Sequence, residues 1–292
     1  MPAFPGLRSP AAVGGRPQRG ERHAVTISSV AEPIAKPDCP QCEGRGWLVV
    51  ADGGAGTARP CPCRREMLVP RLLETSGIPP RYRECTLGSF KLTGYSAATV
   101  LPLQEAKERC TRYVHEFLNA DGTFRQTGLL LVGPPGSGKT HLAAAILGAL
   151  IRKYSVRGRF VDFSSLISQI QSTFDPSSPE SKHDILDPVM NAELLVIDEL
   201  GAQNPTPFVK DTLYLVLNYR YTHRLPTLFT SNFRLELAPN SNLTSVDLLE
   251  GRLTPALFSR LFEMADVVSL DVTSDFRKAR GTRTGKLEAS RS

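Results

Sequence analysis

A glycine-rich loop in the middle of the chain constrains the fold more than any other feature. It follows the pattern G-x-x-x-x-G-K-[ST] and comprises Gly133, Pro134, Pro135, Gly136, Ser137, Gly138, Lys139 and Thr140. A short apolar run at 129–132 precedes the loop, and a helical stretch at 139–154 follows it. Glycines allow backbone N–H groups to turn inward around phosphate oxygens, and the N-terminus of a helix adds partial positive charge. The loop therefore predicts a phosphate-binding site between a strand and a helix.

Short apolar runs and helical stretches alternate along the chain. The runs that have the length and turn-like flanks of strands buried on both faces lie at 129–132, 159–163, 194–197, 227–230 and 267–270. The helical stretches lie at 64–75, 99–118, 139–154, 164–173, 206–222 and 246–262. Pro70 is expected to break the first of these helices. Strand–helix alternation predicts an α/β fold with a mostly parallel five-stranded sheet.

Two acidic residues follow the apolar run at 194–197, at the edge where open α/β sheets bind ligands. Lys139 is expected to reach the β- and γ-phosphates of ATP, and Thr140 and Asp198 are expected to hold Mg²⁺. Glu199 is placed to orient and deprotonate an attacking water. Two adjacent carboxylates favour hydrolysis by water over transfer to a small acceptor, which argues against a kinase for a small metabolite.

Three further polar residues lie near the ends of the last two predicted strands. Asn232 follows the run at 227–230, where it either contacts the γ-phosphate or the attacking water, or caps a turn. Arg260 and Arg277 lie on either side of the last predicted strand. An arginine that enters a neighbour's nucleotide site neutralises transition-state charge, but surface arginines are common and composition does not single one out.

Four of the six cysteines lie close together in the sequence, in the pattern C-x₂-C followed by C-x-C. They are Cys39, Cys42, Cys61 and Cys63. Four thiolates suit a closed tetrahedral Zn²⁺ site, and the alternatives are disulfides or unliganded thiols. We expect a cytoplasmic protein, where thiols stay reduced, and this makes disulfides the weaker alternative.

Charge and composition divide the chain into five parts. The net charge is +6, but residues 1–37 and 278–292 each carry five Lys or Arg with few acids, so the remainder is close to neutral. These tails are expected to be disordered, either touching nucleic acid or merely solvated. Between them we expect a zinc-binding module, a lead-in linker and an ATPase domain, at 38–76, 77–98 and 99–277. No apolar run approaches the ~20 residues that span a bilayer, so we expect no membrane contact.

A resemblance to a known family rests on the runs GPPGSGKTHLAAAI, LLVIDELGA, TLFTSN and SRLFEMADVVSLDVTSDFR. These are similar to the DnaC/DnaI-type bacterial helicase loaders and the related IstB-type ATPases, a branch of the AAA+ class. The segment GIPPRYRECTLGSF is similar to the lead-in of that family, and the resemblance covers about 77–277. CPQCEGRGW and RPCPCR resemble a zinc-binding module that several loaders carry ahead of the ATPase.

The resemblance implies a role for each candidate residue. Lys139, Thr140, Asp198 and Glu199 would perform the chemistry, with His141 continuing the nucleotide-binding loop. Asn232 would be the first sensor, Arg260 an arginine finger across a subunit boundary, and Arg277 the second sensor. Because the sequence ends soon after Arg277, the helical lid of the usual AAA+ kind is expected to be truncated.

The family further implies a function and partners. We expect an ATP-hydrolysing loader that forms a homo-oligomer and helps to place the replicative DNA helicase on single-stranded DNA. The N-terminal part would engage the helicase, although a small Cys₄ module also suits nucleic acid. The segment 175–182, with Phe174, Lys182 and His183, is either a DNA contact or a solvated loop. The alternatives are an IstB-type transposition helper and a non-catalytic zinc-bearing DNA-binding protein.

Overall fold

The computed structural model describes residues 35–50, 57–92, 97–175, 177–236 and 248–270. Arg277, the region of the expected short lid, the tail 278–292 and all but the last three residues of 1–37 lie outside these ranges. No helix within them has the length and apolarity needed to cross a membrane.

The N-terminal module consists of a hairpin and a helix. Strands β1 (Trp47–Val50) and β2 (Thr57–Pro60) pair antiparallel, and helix α1 (Pro62–Thr75) follows. The break that we predicted at Pro70 is wrong, because α1 continues through this residue. Apolar residues of its last two turns pack against the main core, and this packing offsets the hydrogen bond that a proline removes.

The larger part of the chain contains five strands and seven helices in the described ranges. A 3₁₀ turn, Pro80–Tyr82, leads into helix α2 (Ala97–His115). Next come β3 (Gly128–Val132), α3 (Lys139–Tyr154), β4 (Gly158–Asp162), α4 (Phe163–Ser172) and α5 (Lys182–Met190). The last elements are β5 (Leu194–Asp198), α6 (Pro207–Thr222), β6 (Thr227–Ser231), α7 (Leu249–Arg252), α8 (Pro255–Met264) and β7 (Ala265–Ser269).

The five strands β3 to β7 form one sheet in the order β4-β5-β6-β3-β7, and every described pair is parallel. The three central strands are buried along their whole length. Alternate residues of β3 point to opposite faces, so that Leu129 and Leu131 join one core cluster, and Leu130 and Val132 join the other. The predicted α/β fold with a parallel five-stranded sheet is therefore confirmed.

The segment between β4 and β5 contains a helix that the sequence analysis missed. A capping box of Ser181 and Asp184 starts α5 directly after the polar segment that begins at Asp175. Pro188 lies inside this nine-residue helix and hides its helical period. The buried side chains of Leu186 and Val189 hold α5 against the core.

The chain that leaves α1 is fixed to the edge of the sheet. The backbone N–H of Phe160 in β4 donates to the carbonyl of Ser76 at 2.6 Å, and the Arg159 guanidinium donates to the carbonyl of Thr75 at 2.9 Å. A Cβ at Gly77 would lie 2.6 Å from the carbonyl oxygen of Phe160, so only glycine permits this approach. The segment therefore covers the outer edge of β4.

Helix α1 also contacts the C-terminal end of α3. The guanidinium of Arg65 donates hydrogen bonds to the carbonyls of Arg152 and Lys153, which belong to the last turn of α3. A helix ends with carbonyls that lack intrahelical partners, and a cation placed there is favourable. The N-terminal module thus caps the helix that begins at the phosphate loop.

A fully buried arginine joins α5, α6 and β6. Arg220 donates to the Thr227 hydroxyl and to four backbone carbonyls, those of Val189, Met190, Ala192 and Pro226. Burial lowers the pKa of this guanidinium to about 9, so the group remains cationic at neutral pH. Arg220 therefore satisfies carbonyls at the end of α5 that would otherwise be buried without donors.

We predict that Arg220→Met lowers the free energy of unfolding by about 3 kcal/mol or more, because each buried acceptor left without a donor costs about 1–3 kcal/mol. Urea denaturation followed by circular dichroism measures the change. Arg157→Met is the matched control, since Arg157 is exposed and pairs only with Glu193 in the described ranges, and it should change stability little. Equal losses for the two variants would contradict the structural role of Arg220.

Candidate active site and metal centre

The predicted phosphate loop lies between β3 and α3, with Gly138 as the N-terminal cap of the helix. Gly138 has φ 95°, and a Cβ there would lie 2.5 Å from the ring of Phe90. The Lys139 ammonium donates to the carbonyls of Gly133 and Pro134, both at 2.8 Å. The Lys139 side chain therefore folds back over the loop, and the N-terminus of α3 adds partial positive charge beside it.

Three hydrogen-bonding side chains from different elements meet beside this loop. Oδ1 of Asp198, at the end of β5, accepts from the Thr140 hydroxyl at 3.0 Å and from the Thr230 hydroxyl at 2.5 Å. Asp198 is buried, and burial raises the pKa of its carboxyl, while the two hydroxyls oppose that rise. The Asp198 carboxylate at the end of a strand and the Thr140 hydroxyl at the start of a helix are ligands of the kind that Mg²⁺ binds together with phosphates.

Glu199 follows Asp198 in a backbone conformation that is rare for its residue type. Its φ is 59°, its side chain is exposed, and its N–H donates to the Thr230 hydroxyl at 3.0 Å. Left-handed non-glycine residues cost free energy and cluster at functional sites. Glu199 is thus exposed directly after the buried strand, and its role in positioning a water stays a prediction.

Thr230 is a site residue that the sequence analysis did not identify. Its hydroxyl donates to the carboxylate of Asp198 and accepts from the backbone N–H of Glu199, so a single side chain contacts both acidic residues. In the sequence it stands inside the run that we assigned to a strand, where a threonine is an ordinary residue. The signal that could have found it is its register, because β5 and β6 are neighbours whose last residues meet at one sheet edge.

His141 is directed toward the lead-in rather than toward the phosphate loop. Its Nδ1 lies 3.3 Å from the Cys85 sulfur, and its Nε2 lies 3.2 Å from both the Ser89 hydroxyl and the Thr86 carbonyl. Burial lowers the pKa of this imidazole. The side chain predicted to bind nucleotide thus joins the lead-in to the first turn of α3, and Phe90 packs beside it.

The remaining predicted residues lie at the carboxyl edge of the sheet, on α8, and at the start of the segment after α4. Asn232 is exposed directly after β6, at the edge that carries Asp198 and Glu199. Arg260 lies on α8, where its guanidinium stacks on the rings of two tyrosines of α6. Phe174 is 61% exposed and meets Phe208 edge-on, at the start of the segment that we considered for DNA contact.

The four predicted cysteines converge in the N-terminal module. Their sulfur atoms lie within 4.8 Å of one another, with Cys39 and Cys61 at 3.6 Å and Cys42 and Cys63 at 3.5 Å. Four sulfurs around a tetrahedral Zn²⁺ with bonds of about 2.3 Å are expected to be about 3.8 Å apart. The arrangement fits zinc, and all four cysteines are free of disulfides.

Backbone geometry around the cluster favours thiolates. The N–H groups of Gln41 and Cys42 lower the pKa of Cys39 to about 7, and the N–H of Gly46 points at the Cys42 sulfur at 3.2 Å. Burial raises the pKa of Cys63 to about 12, so a cluster of four thiolates needs a compensating cation. Zn²⁺ supplies such a charge.

Comparison with known proteins agrees with this geometry. The family model of the IstB-like ATP binding protein matches residues 101–283, which is more than half of the chain. The chain belongs to this IstB-like family. The resemblance stated from the sequence is thereby confirmed, and the phosphate loop, both acids, Asn232 and Arg260 all lie inside the matched region.

Individual proteins and a solved structure are also similar to this chain. The phage-like element PBSX protein XkdC of Bacillus subtilis (strain 168) is 29% identical over 252 residues, which are 85% of this chain and 86% of that protein. The replicative helicase loader DnaC of Escherichia coli (strain K12) is 29% identical over 175 residues, 59% of this chain and 65% of that protein. A crystal structure of the DnaC helicase loader gives a TM-score of 0.53 at 28% identity and covers 65% of this chain and 99% of that chain.

We predict that this IstB-like chain binds one zinc per molecule through the four cysteines, and that elemental analysis after purification without chelator detects it. Trp47 is the single tryptophan of the chain and stacks against Arg64 of α1, so its fluorescence reports on the module. Chelation should shift that fluorescence and release the metal, because ligation energy is folding energy in small metal modules.

Cysteine variants provide the control for this measurement. Cys42→Ser should lose the metal, whereas Cys85→Ser, which leaves the cluster intact, should retain one zinc per chain. Protein that is free of metal and shows an unchanged Trp47 spectrum would contradict the zinc assignment.

Proposed function

We propose that this chain is an ATP-hydrolysing loader that helps to place the replicative DNA helicase on single-stranded DNA. The observation that carries the proposal is the convergence of Thr140, Asp198 and Thr230 beside a phosphate loop, in an IstB-like chain whose relatives include helicase loaders named DnaC. ATP with Mg²⁺ is the nucleotide that this donor set suits.

Hydrolysis follows from the roles that the residues take around the nucleotide. Lys139 and the N-terminus of α3 would hold the β- and γ-phosphates, while Thr140 and Asp198 would hold Mg²⁺. Glu199 would orient and deprotonate water, and Asn232 at the same sheet edge would contact the γ-phosphate. Loss of that phosphate would then change the contacts that hold the active assembly together.

The assembly is proposed to contain several copies of this chain. Arg260 lies on the flank of α8 and stacks on α6, which suits a residue that serves a neighbour's nucleotide instead of its own. Arg277, as the second sensor, would act on the nucleotide of its own subunit. An arginine that completes a site in this way is worth about 10³–10⁵ in rate, so hydrolysis would depend on assembly.

Two parts of the surface are proposed to contact the partners. The zinc-binding module would engage the helicase, with exposed Trp47 and Val49 on one face of its hairpin. Exposed Phe174, with Lys182 and His183, would contact single-stranded DNA by stacking and positive charge. We infer that this work takes place in the cytoplasm, where replicative helicases meet DNA.

We predict that Thr230→Val slows ATP hydrolysis about 10- to 100-fold with little change in KM, because it removes a hydrogen bond to a charged carboxylate that organises the site. Thr230→Ser retains a hydroxyl and is the matched control, with turnover close to the parent. Steady-state phosphate release measures both variants. Equal turnover of Thr230→Val and the parent would show that the two acids are oriented without this hydroxyl.

The loading function is tested by the amount of replicative helicase that becomes bound to closed circular single-stranded DNA. The chain with ATP should increase this amount. Lys139→Ala should bind ATP at least about tenfold more weakly in calorimetry and lose loading, since a charge-assisted phosphate contact is removed. Lys153→Ala, at the opposite end of α3, is the matched control and should load normally.

Two outcomes would contradict the proposed function. Normal loading by Lys139→Ala would show that loading does not depend on the nucleotide site. Capture of a transposase, with no helicase recruited, would favour the transposition helper that shares the IstB-like ATPase core.

A further inference from the structure

The flank formed by α6 and α8 places a cation between two aromatic rings. The guanidinium carbon of Arg260 lies 5.2 Å from the ring centroid of Tyr214 and 5.6 Å from that of Tyr221. The two tyrosines are seven residues apart on α6 and therefore share one face of that helix. Both distances are within the range in which a cation is attracted to an aromatic face.

Arg260 forms no ion pair with Glu263, the acidic residue of the same helix, in the described part of the chain. Arg260 and Glu263 are three residues apart on α8, a spacing at which opposite charges normally attract each other. None of the ion pairs found within the described residues involves Arg260, and its buried Nη1 has no hydrogen-bond partner there. The Glu263 carboxylate instead accepts a hydrogen bond from the Tyr221 hydroxyl at 2.7 Å.

Tyr221 thus acts on both members of the potential pair. Its ring attracts the guanidinium, and its hydroxyl occupies an oxygen of the carboxylate that would otherwise neutralise that guanidinium. A cation that is held by aromatic faces keeps its charge, and because Arg260 is only partly buried, its donors other than Nη1 remain for an incoming anion. An arginine that is already paired would first have to break that pair.

We propose that Tyr221 is a positioning residue that, together with Tyr214, keeps Arg260 unpaired and oriented toward the nucleotide phosphates of a neighbouring copy of this chain. This inference rests on the proposed role of Arg260 across a subunit boundary. Tyr221 does not touch the reacting atoms. Its effect is to prevent Glu263 from competing with the phosphates for the guanidinium.

The test compares ATP turnover of Tyr221→Phe with that of Tyr221→Phe combined with Glu263→Gln. Tyr221→Phe keeps the ring and frees Glu263 to pair with Arg260, so kcat should fall while KM stays unchanged. The expected fall is about two- to threefold, because that is the typical strength of a surface ion pair. The second substitution removes the competing charge and should restore kcat. Tyr219→Phe is the matched control, because the Tyr219 hydroxyl bonds Asn191 on the other side of α6, and it should change nothing.

A structural measurement accompanies the kinetics. In the parent protein the Nε–Hε resonance of Arg260 should be shifted upfield by the two rings. Tyr221→Phe should move this resonance as Arg260 pairs with Glu263, and adding Glu263→Gln should move it back.

The outcomes separate the inference from the function on which it rests. If Arg260→Ala hydrolyses ATP at the parent rate, the role of Arg260 is wrong and the inference falls with it. If Arg260→Ala is impaired but Tyr221→Phe turns over normally, or remains slow after Glu263→Gln is added, the positioning role alone is overturned. Restoration by Glu263→Gln supports it, because a merely structural tyrosine would not be rescued by removing a charge.

Discussion

One carboxylate oxygen connects the parts of the molecule on which the nucleotide site depends. Oδ1 of Asp198 accepts hydrogen bonds from the hydroxyl groups of Thr140 on α3 and Thr230 on β6, so three elements meet at one atom. Such a contact requires β5 and β6 to be adjacent and parallel, with α3 beginning at the same edge. Because burial raises the pKa of Asp198, a metal ion near this oxygen would compensate for the cost of keeping it charged.

Helix α3 joins the two chemically distinctive regions of the chain. It begins at the phosphate loop and ends at carbonyls that Arg65 of the cysteine-containing module caps. Its interior residues are almost all buried, so the helix is held on every side. The module and the phosphate loop therefore lie at opposite ends of one largely buried helix.

Much of the fold could be predicted from local sequence patterns. The five strands and α3 appear where short apolar runs and a long apolar helix stand out, and the spacing of the cysteines predicts their cluster. Three features were not predicted. They are the role of Thr230, the continuation of α1 through Pro70, and helix α5 with its internal Pro188. Thr230 and the continuation of α1 depend on contacts between segments that are distant in sequence, and such contacts override local propensity. Helix α5 was missed for a local reason, because Pro188 interrupts its helical period.

The hydrogen bond between Phe160 and Ser76 has a consequence for how the chain can be divided. An uncovered outer strand is a template for pairing with another molecule, and Ser76, directly after α1, occupies that position on β4. A fragment that begins after Gly77 would lose this cover and tend to self-associate through β4. The residues at and just after the end of α1 are thus part of the sheet's boundary, and a fragment that starts upstream of Thr75 keeps them.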